Sequence, residues 1–165
     1  MKRTLRQHGP SSARRGTTIV ETALVLPVFL LFVLSLVELG HAMMVSNVLR
    51  SACRQAARIG STEGNTTAEV QAKALEVLGS AVNPTLVTVY VKDASSFDSG
   101  SSPATSGSAL ESMPNVELSN AEPRQLFMVR AKVRYEDIAI VPNIPFLGSF
   151  LDNVVVQGQA FMRHE

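Results

Sequence analysis

One feature limits what this chain can become: an apolar run bracketed by two carboxylates. In RRGTTIVETALVLPVFLLFVLSLVELG, residues 14–40, positions 22–37 carry no charge, with Glu21 just before them and Glu38 just after. With flanks at 17–21 and 39–45 the segment exceeds the roughly 20 residues needed to span a bilayer, so a single crossing is expected. An ionised carboxylate in hydrocarbon costs about 3 kcal/mol on insertion scales, so it has to face protein, pair with a cation or carry function. A plain anchor has no use for Glu21.

Charge is distributed as unevenly as hydropathy. The formal net charge is +1, yet Lys2, Arg3, Arg6, Arg14 and Arg15 all lie among the first sixteen residues, which contain no acid. Without those sixteen, ten basic residues face fourteen acidic ones, a balance of −4. Five cations ahead of the span against Arg50, Arg54 and Arg58 behind it favour a cytoplasmic N-terminus. Everything after about residue 45 is then expected outside the inner membrane, as a periplasmic head.

Three readings of the N-terminus compete. A secretory signal would use Gly40-His41-Ala42 as its small-x-small cleavage site, but its apolar stretch is too long and Glu38 intrudes on the cleavage region. A permanent anchor explains the basic flank and the span, and leaves Glu21 without a task. In the third reading Gly16 is a processing point ahead of the helix, and Glu21 falls five residues beyond it.

That third arrangement resembles the class III signal of type IV prepilins, and more closely the start of TadE-like pseudopilins of tight-adherence (Tad, type IVc-like) pilus systems. The resemblance continues through SNVLRSACRQAARIG, residues 46–60, and returns at the C-terminus in VVVQGQAFMRHE, with its closing Met-Arg-x-Glu pattern. Residues 61–125 are covered only loosely. The resemblance implies that a prepilin peptidase cuts between Gly16 and Thr17, where many type IV pilins have phenylalanine in place of threonine. It also implies that Glu21 neutralises the freed α-amino group of a neighbouring subunit. The physics agrees, because two opposite charges buried together avoid much of the penalty that either suffers alone. Glu38, with Leu39-Gly40, matches an acidic residue followed by glycine that the family often has. By position it is expected near the opposite interface, reaching headgroups or water.

The helix is expected to continue past the membrane. Val45, Val48, Leu49, Ala52, Ala56 and Ile59 follow helical spacing, Arg50, Arg54 and Arg58 fall on the other side, and Gly60 is a natural stop. The arginines are candidates for contact with lipid phosphates or a partner's carboxylates, or else form a solvated face. Cys53, among alanines, reads as a small packing residue.

Beyond Gly60, Thr66-Thr67-Ala68-Glu69 fits a capping box for a second helix, with Val70, Ala74, Val77, Leu78 and Ala81 at helical spacing up to Asn83-Pro84. Residues 85–91, 126–135 and 154–162 alternate as strands. In the second of these, Met128, Arg130, Lys132 and Arg134 form a cationic face that reads as solvated. Residues 94–122 read as a flexible insertion, and 138–151 as a loop too apolar for free exposure.

The expected fold class is α+β: a long N-terminal transmembrane helix extending into a small head with a second helix and a roughly three-stranded antiparallel sheet. Its parts are a basic leader, 1–16, the transmembrane and amphipathic helix, 17–60, and the head, 61–165. His8, His41 and His164 are too scattered to form one site, and no phosphate loop, metal-ligand spacing or nucleophile elbow is present. No catalytic residue, cofactor or metal is expected. The resulting reading is a minor pilin or pseudopilin that assembles or primes a tight-adherence pilus for surface attachment. Its expected partners are a prepilin peptidase, sister pilins, the inner-membrane assembly machinery and lipid, not nucleic acid. The alternatives are a permanently anchored periplasmic scaffold or adaptor and, more remotely, a membrane-tethered enzyme.

Overall fold

The computed structural model describes residues 12–98, 106–141 and 153–165, with side chains from Thr18 onward. Two compact units divide the chain, Met1–Leu39 and Gly40–Glu165. Helix α1, Ser12–Gly60, runs through both, with Pro27 inside it. Proline lacks an amide hydrogen and costs one helix bond, yet α1 continues beyond it.

The second unit is the α+β head. In its part of α1 the apolar positions shift from all-round to one-sided. Val45, Leu49, Ala52, Cys53 and Ala56 are fully buried, while Arg50, Arg54 and Arg58 are exposed. Helix α2, Thr67–Leu78, opens with the expected capping box: Thr66 Oγ1 accepts from the Glu69 amide, and Glu69 Oε2 accepts from the Thr66 amide at 2.8 Å. Those bonds satisfy donors that a helix start leaves open, and the Thr66 amide holds the Glu69 carboxyl below its usual range. The helix ends at Leu78, earlier than the spacing predicts, and Gly79 caps it. Asn83-Pro84 opens a separate 3-10 turn, in which Asn83 Oδ1 accepts from the Thr85 amide. Helical periodicity lapses after Leu78, so Ala81 is exposed and Val82 takes the buried position.

Three antiparallel strands follow: β1, Thr88–Asp93, β2, Leu126–Arg134, and β3, Val155–Arg163, in the order β1-β2-β3. Because side chains alternate across a strand, Phe127, Val129, Ala131 and Val133 face the α1 and α2 core. Their neighbours face the other way. That second face is solvated as expected only at its end, where Arg134 is exposed; from Phe127 to Arg130 no side chain is more than 1% exposed. As the middle strand, β2 lies beneath residues of the supposedly flexible insertion, whose short helix α3, Gly107–Glu111, packs Leu110 beside Met128 and Ala94. From the same insertion Val116 and Leu118 enter the main core, stitched to α2 where Thr67 Oγ1 donates to Val116 O and accepts from the Leu118 amide. Of the apolar loop, Ile138 is buried, whereas residues 142–151 lie outside the described residues.

Helix and sheet meet most closely at Gly158, opposite Ala131 in the register. A Cβ at Gly158 would stand 2.4 Å from Leu49 C and Arg50 N, which are backbone atoms that no rotamer change can move. The Cys53 thiol fits the same seam, 3.4 Å from Gly158 O, in the packing role expected of it. Gly158→Ala therefore forces the seam apart, with an expected loss of about 1–3 kcal/mol. Thermal melts of the detergent-solubilised chain check this: Gly158→Ala lowers the midpoint, whereas Gly40→Ala, with nothing within 4 Å of its Cβ, does not.

Candidate functional site

In the first unit α1 is apolar and bare. Ile19 is 70% exposed, Leu24 70%, Val28 63% and Phe32 60%, so the face offered outward is continuous hydrocarbon. Soluble proteins rarely show contiguous apolar patches of more than a few hundred Å², and here the whole circumference is involved from Thr18 to Leu30. Among the described residues one helix is long and apolar enough to cross a membrane, with a mean hydropathy of 2.5 and none of its window buried.

Glu21 lies on this surface, in a shallow concavity with Thr18, Thr22, Val25, Leu26 and Phe29. Thr22 Oγ1 donates to Thr18 O at 2.9 Å, so that hydroxyl is satisfied within its own helix. Glu21 has no such outlet: its carboxylate makes no hydrogen bond or ion pair among the described residues. Gly16 and Thr17 belong to the first turns of α1. Glu38 differs from the sequence expectation, being 4% exposed and engaged inside the protein, so it does not reach outward for headgroups or water.

Arg50, Arg54 and Arg58 line the exposed side of α1 at successive i+4 positions. Like charges at this spacing each cost an isolated helix about 0.2–0.5 kcal/mol. None of the three has an ion pair or hydrogen bond among the described residues to offset that repulsion.

Against this geometry, residues 16–58 match the family model described as TadE-like protein. This segment is TadE-like. Comparisons with curated proteins and with solved structures gave no match. The matched residues begin at Gly16 and contain Glu21, Glu38 and the three arginines, and the TadE-like match is consistent with a protein associated with Tad pili.

Outside the TadE-like segment lies a polar cluster on the covered face of β2. Arg130, 1% exposed, donates through Nη2 to Gln157 Oε1 and lies 3.9 Å from Glu111 Oε1. Lys132 Nζ is 2.7 Å from Glu111 Oε2 and 5.1 Å from the centre of the Tyr90 ring. Gly107 closes over the guanidinium so tightly that a Cβ there would meet Nη2 at 2.8 Å. Arg130 Nε and Nη1 have no partner among the described residues. The only sequence signal was the alternation of cations along 126–135, and nothing local reveals that Glu111 answers them.

The Glu111 hydrogen bond, outweighing partial burial, raises the Lys132 ammonium above the usual lysine value of 10.5. A folded-state value above the unfolded one means that this stabilisation is fully present below 10.5 and is lost as pH rises through the higher folded value. In alkaline melts the wild type should lose stability in that window, and Lys132→Met should flatten the loss. Glu111→Gln, by leaving buried Arg130 without its carboxylate, should cost about 1–3 kcal/mol near neutral pH, measured by denaturant unfolding.

Proposed function

We propose that this chain is a minor pilin or pseudopilin of a tight-adherence pilus, processed at Gly16 and then assembled into a filament or used to prime one. One observation carries the reading: a bare apolar helix whose carboxylate Glu21, unpaired among the described residues, stands five residues beyond a glycine at which the TadE-like match begins. Cleavage between Gly16 and Thr17 by a prepilin peptidase on the cytoplasmic side creates an α-amino group at Thr17. It also removes the five leader cations.

In hydrocarbon the new ammonium and the Glu21 carboxylate of a neighbouring subunit satisfy each other. A shift of register strands both charges, so the pair aligns subunits as well as attracting them. The bare helix is held first by lipid and then by sister pilins, while the head stands on the periplasmic side of the inner membrane. Extraction from the bilayer exchanges one apolar environment for another and leaves the charge pairing as the term that favours the filament.

Co-expression with a prepilin peptidase followed by intact-mass analysis tests processing. Loss of residues 1–16 is expected, and an unchanged mass points to a permanent anchor. Glu21→Ala should be cleaved normally yet fail to assemble. Removing one member of a buried pair costs about 3 kcal/mol or more, over a hundredfold in the subunit equilibrium. Sheared-surface fractions report it, and wild-type amounts of filament from Glu21→Ala would remove the docking role.

A further inference from the structure

We infer that Arg50, Arg54 and Arg58 of one copy dock on an acidic end of the head of a second copy. The guanidiniums form a straight exposed row on α1, unpaired among the described residues, on the side opposite Leu49 and Cys53. Such a row is stable next to carboxylates or phosphates, and axial distance separates the two. At about 1.5 Å per residue, Arg54 stands about 15 Å and Arg58 about 21 Å beyond Met44, the last of the exposed apolar residues of α1. The headgroup layer of one leaflet is only about 5–8 Å deep. Of an upright row, Arg50 alone reaches lipid.

The complementary surface lies on the same chain. Residues 61–165 hold seven basic and twelve acidic residues, a balance of −5, and the acids are not spread evenly. The segments 61–72 and 112–123 contain Glu63, Glu69, Glu117 and Glu122 and no lysine or arginine, although Lys73 and Arg124 stand just past their ends, Arg124 in one concavity with Ser61 and Pro123. Thr67 binds the two segments together: its amide donates to Glu117 Oε1 at 3.0 Å and its hydroxyl bonds both Val116 O and the Leu118 amide. All four glutamates are exposed. Their own copy's arginine row makes no ion pair with them, and Glu63 and Glu122, unlike Glu69 and Glu117, have no hydrogen bond to their carboxylates among the described residues, which leaves them open to a second copy. Row and acidic end are different surfaces, which makes the contact head-to-tail; it repeats along an open array and does not close as a symmetric pair.

The contact deepens the filament reading and rests on it. Its measurement is independent of leader removal, however, so the failure of one is told apart from the failure of the other. Sedimentation equilibrium of the full chain in neutral detergent, at about 0.05 M and 0.5 M salt, should show self-association that weakens as charges are screened. A row-reversed chain (Arg50→Glu, Arg54→Glu, Arg58→Glu) and an end-reversed chain (Glu63→Lys, Glu122→Lys) should each associate about tenfold more weakly than wild type, since exposed pairs are individually weak but three act together. Mixing the two reversed chains should restore association. Matching melting midpoints establish that both fold, and Arg→Gln at the same three positions serves if the row-reversed chain does not. Wild-type self-association by either reversed chain, or no recovery on mixing, overturns the inference. So does a row-reversed chain that associates normally and loses only its binding to anionic vesicles.

Discussion

Hydrocarbon that its own fold does not cover decides most of what this protein must do. From Ile19 to Leu30 every side chain of α1 is exposed, and from there to Leu39 most still are, with Leu31 and Ser35 half-buried and Glu38 buried. Such a surface suits a lipid bilayer or similar helices, and α1 is long and apolar enough to cross a membrane. The head, in contrast, is self-sufficient, with one core between two helices and a sheet and a second, smaller one on the far side of the sheet. Along one helix the residues thus change character, from apolar and largely exposed to buried on one side and cationic on the other.

The head obtains its compactness from close approach and not from bulk. Small residues, Ala52, Cys53, Ala56 and Ala57, line the buried side of α1, and Gly158 receives it on β3. Gly60 ends the helix and is itself hemmed in: a Cβ there would meet Leu118, Val70 and Phe127 side chains at 2.8, 3.0 and 3.2 Å. A glycine that reads as a helix stop is therefore also a packing requirement. With so few large core residues, fit at these small positions carries a larger share of stability than in a Leu-rich or Phe-rich core.

Local signals were readable wherever the determinant was local. The apolar run, the i+4 arginines and the Thr66–Glu69 capping box each depend on neighbours within one or two turns, and all appear in place. The strands were readable by alternation, although β1 begins at Thr88 because Pro84 holds the preceding residues in a turn. What could not be read was decided by residues far apart in the chain. Alternating cations on 126–135 look solvated until a serine-rich stretch supplies Glu111 and Leu110 as a cover. Likewise nothing near Gly158 announces that Leu49, more than a hundred residues earlier, presses on it. Of the candidate site, the identities of Glu21 and the arginines were legible, whereas the burial of Glu38 was not.

The placement of Cys53 has a practical corollary. Its sulfur is shut between α1 and β3, and burial leaves no path for a bulky reagent while those elements stay in register. Alkylation can proceed only in moments when the seam parts, so its rate counts those moments. The chain thereby carries an intrinsic clock for breathing of the head, readable without an introduced cysteine and without disturbing either charged surface.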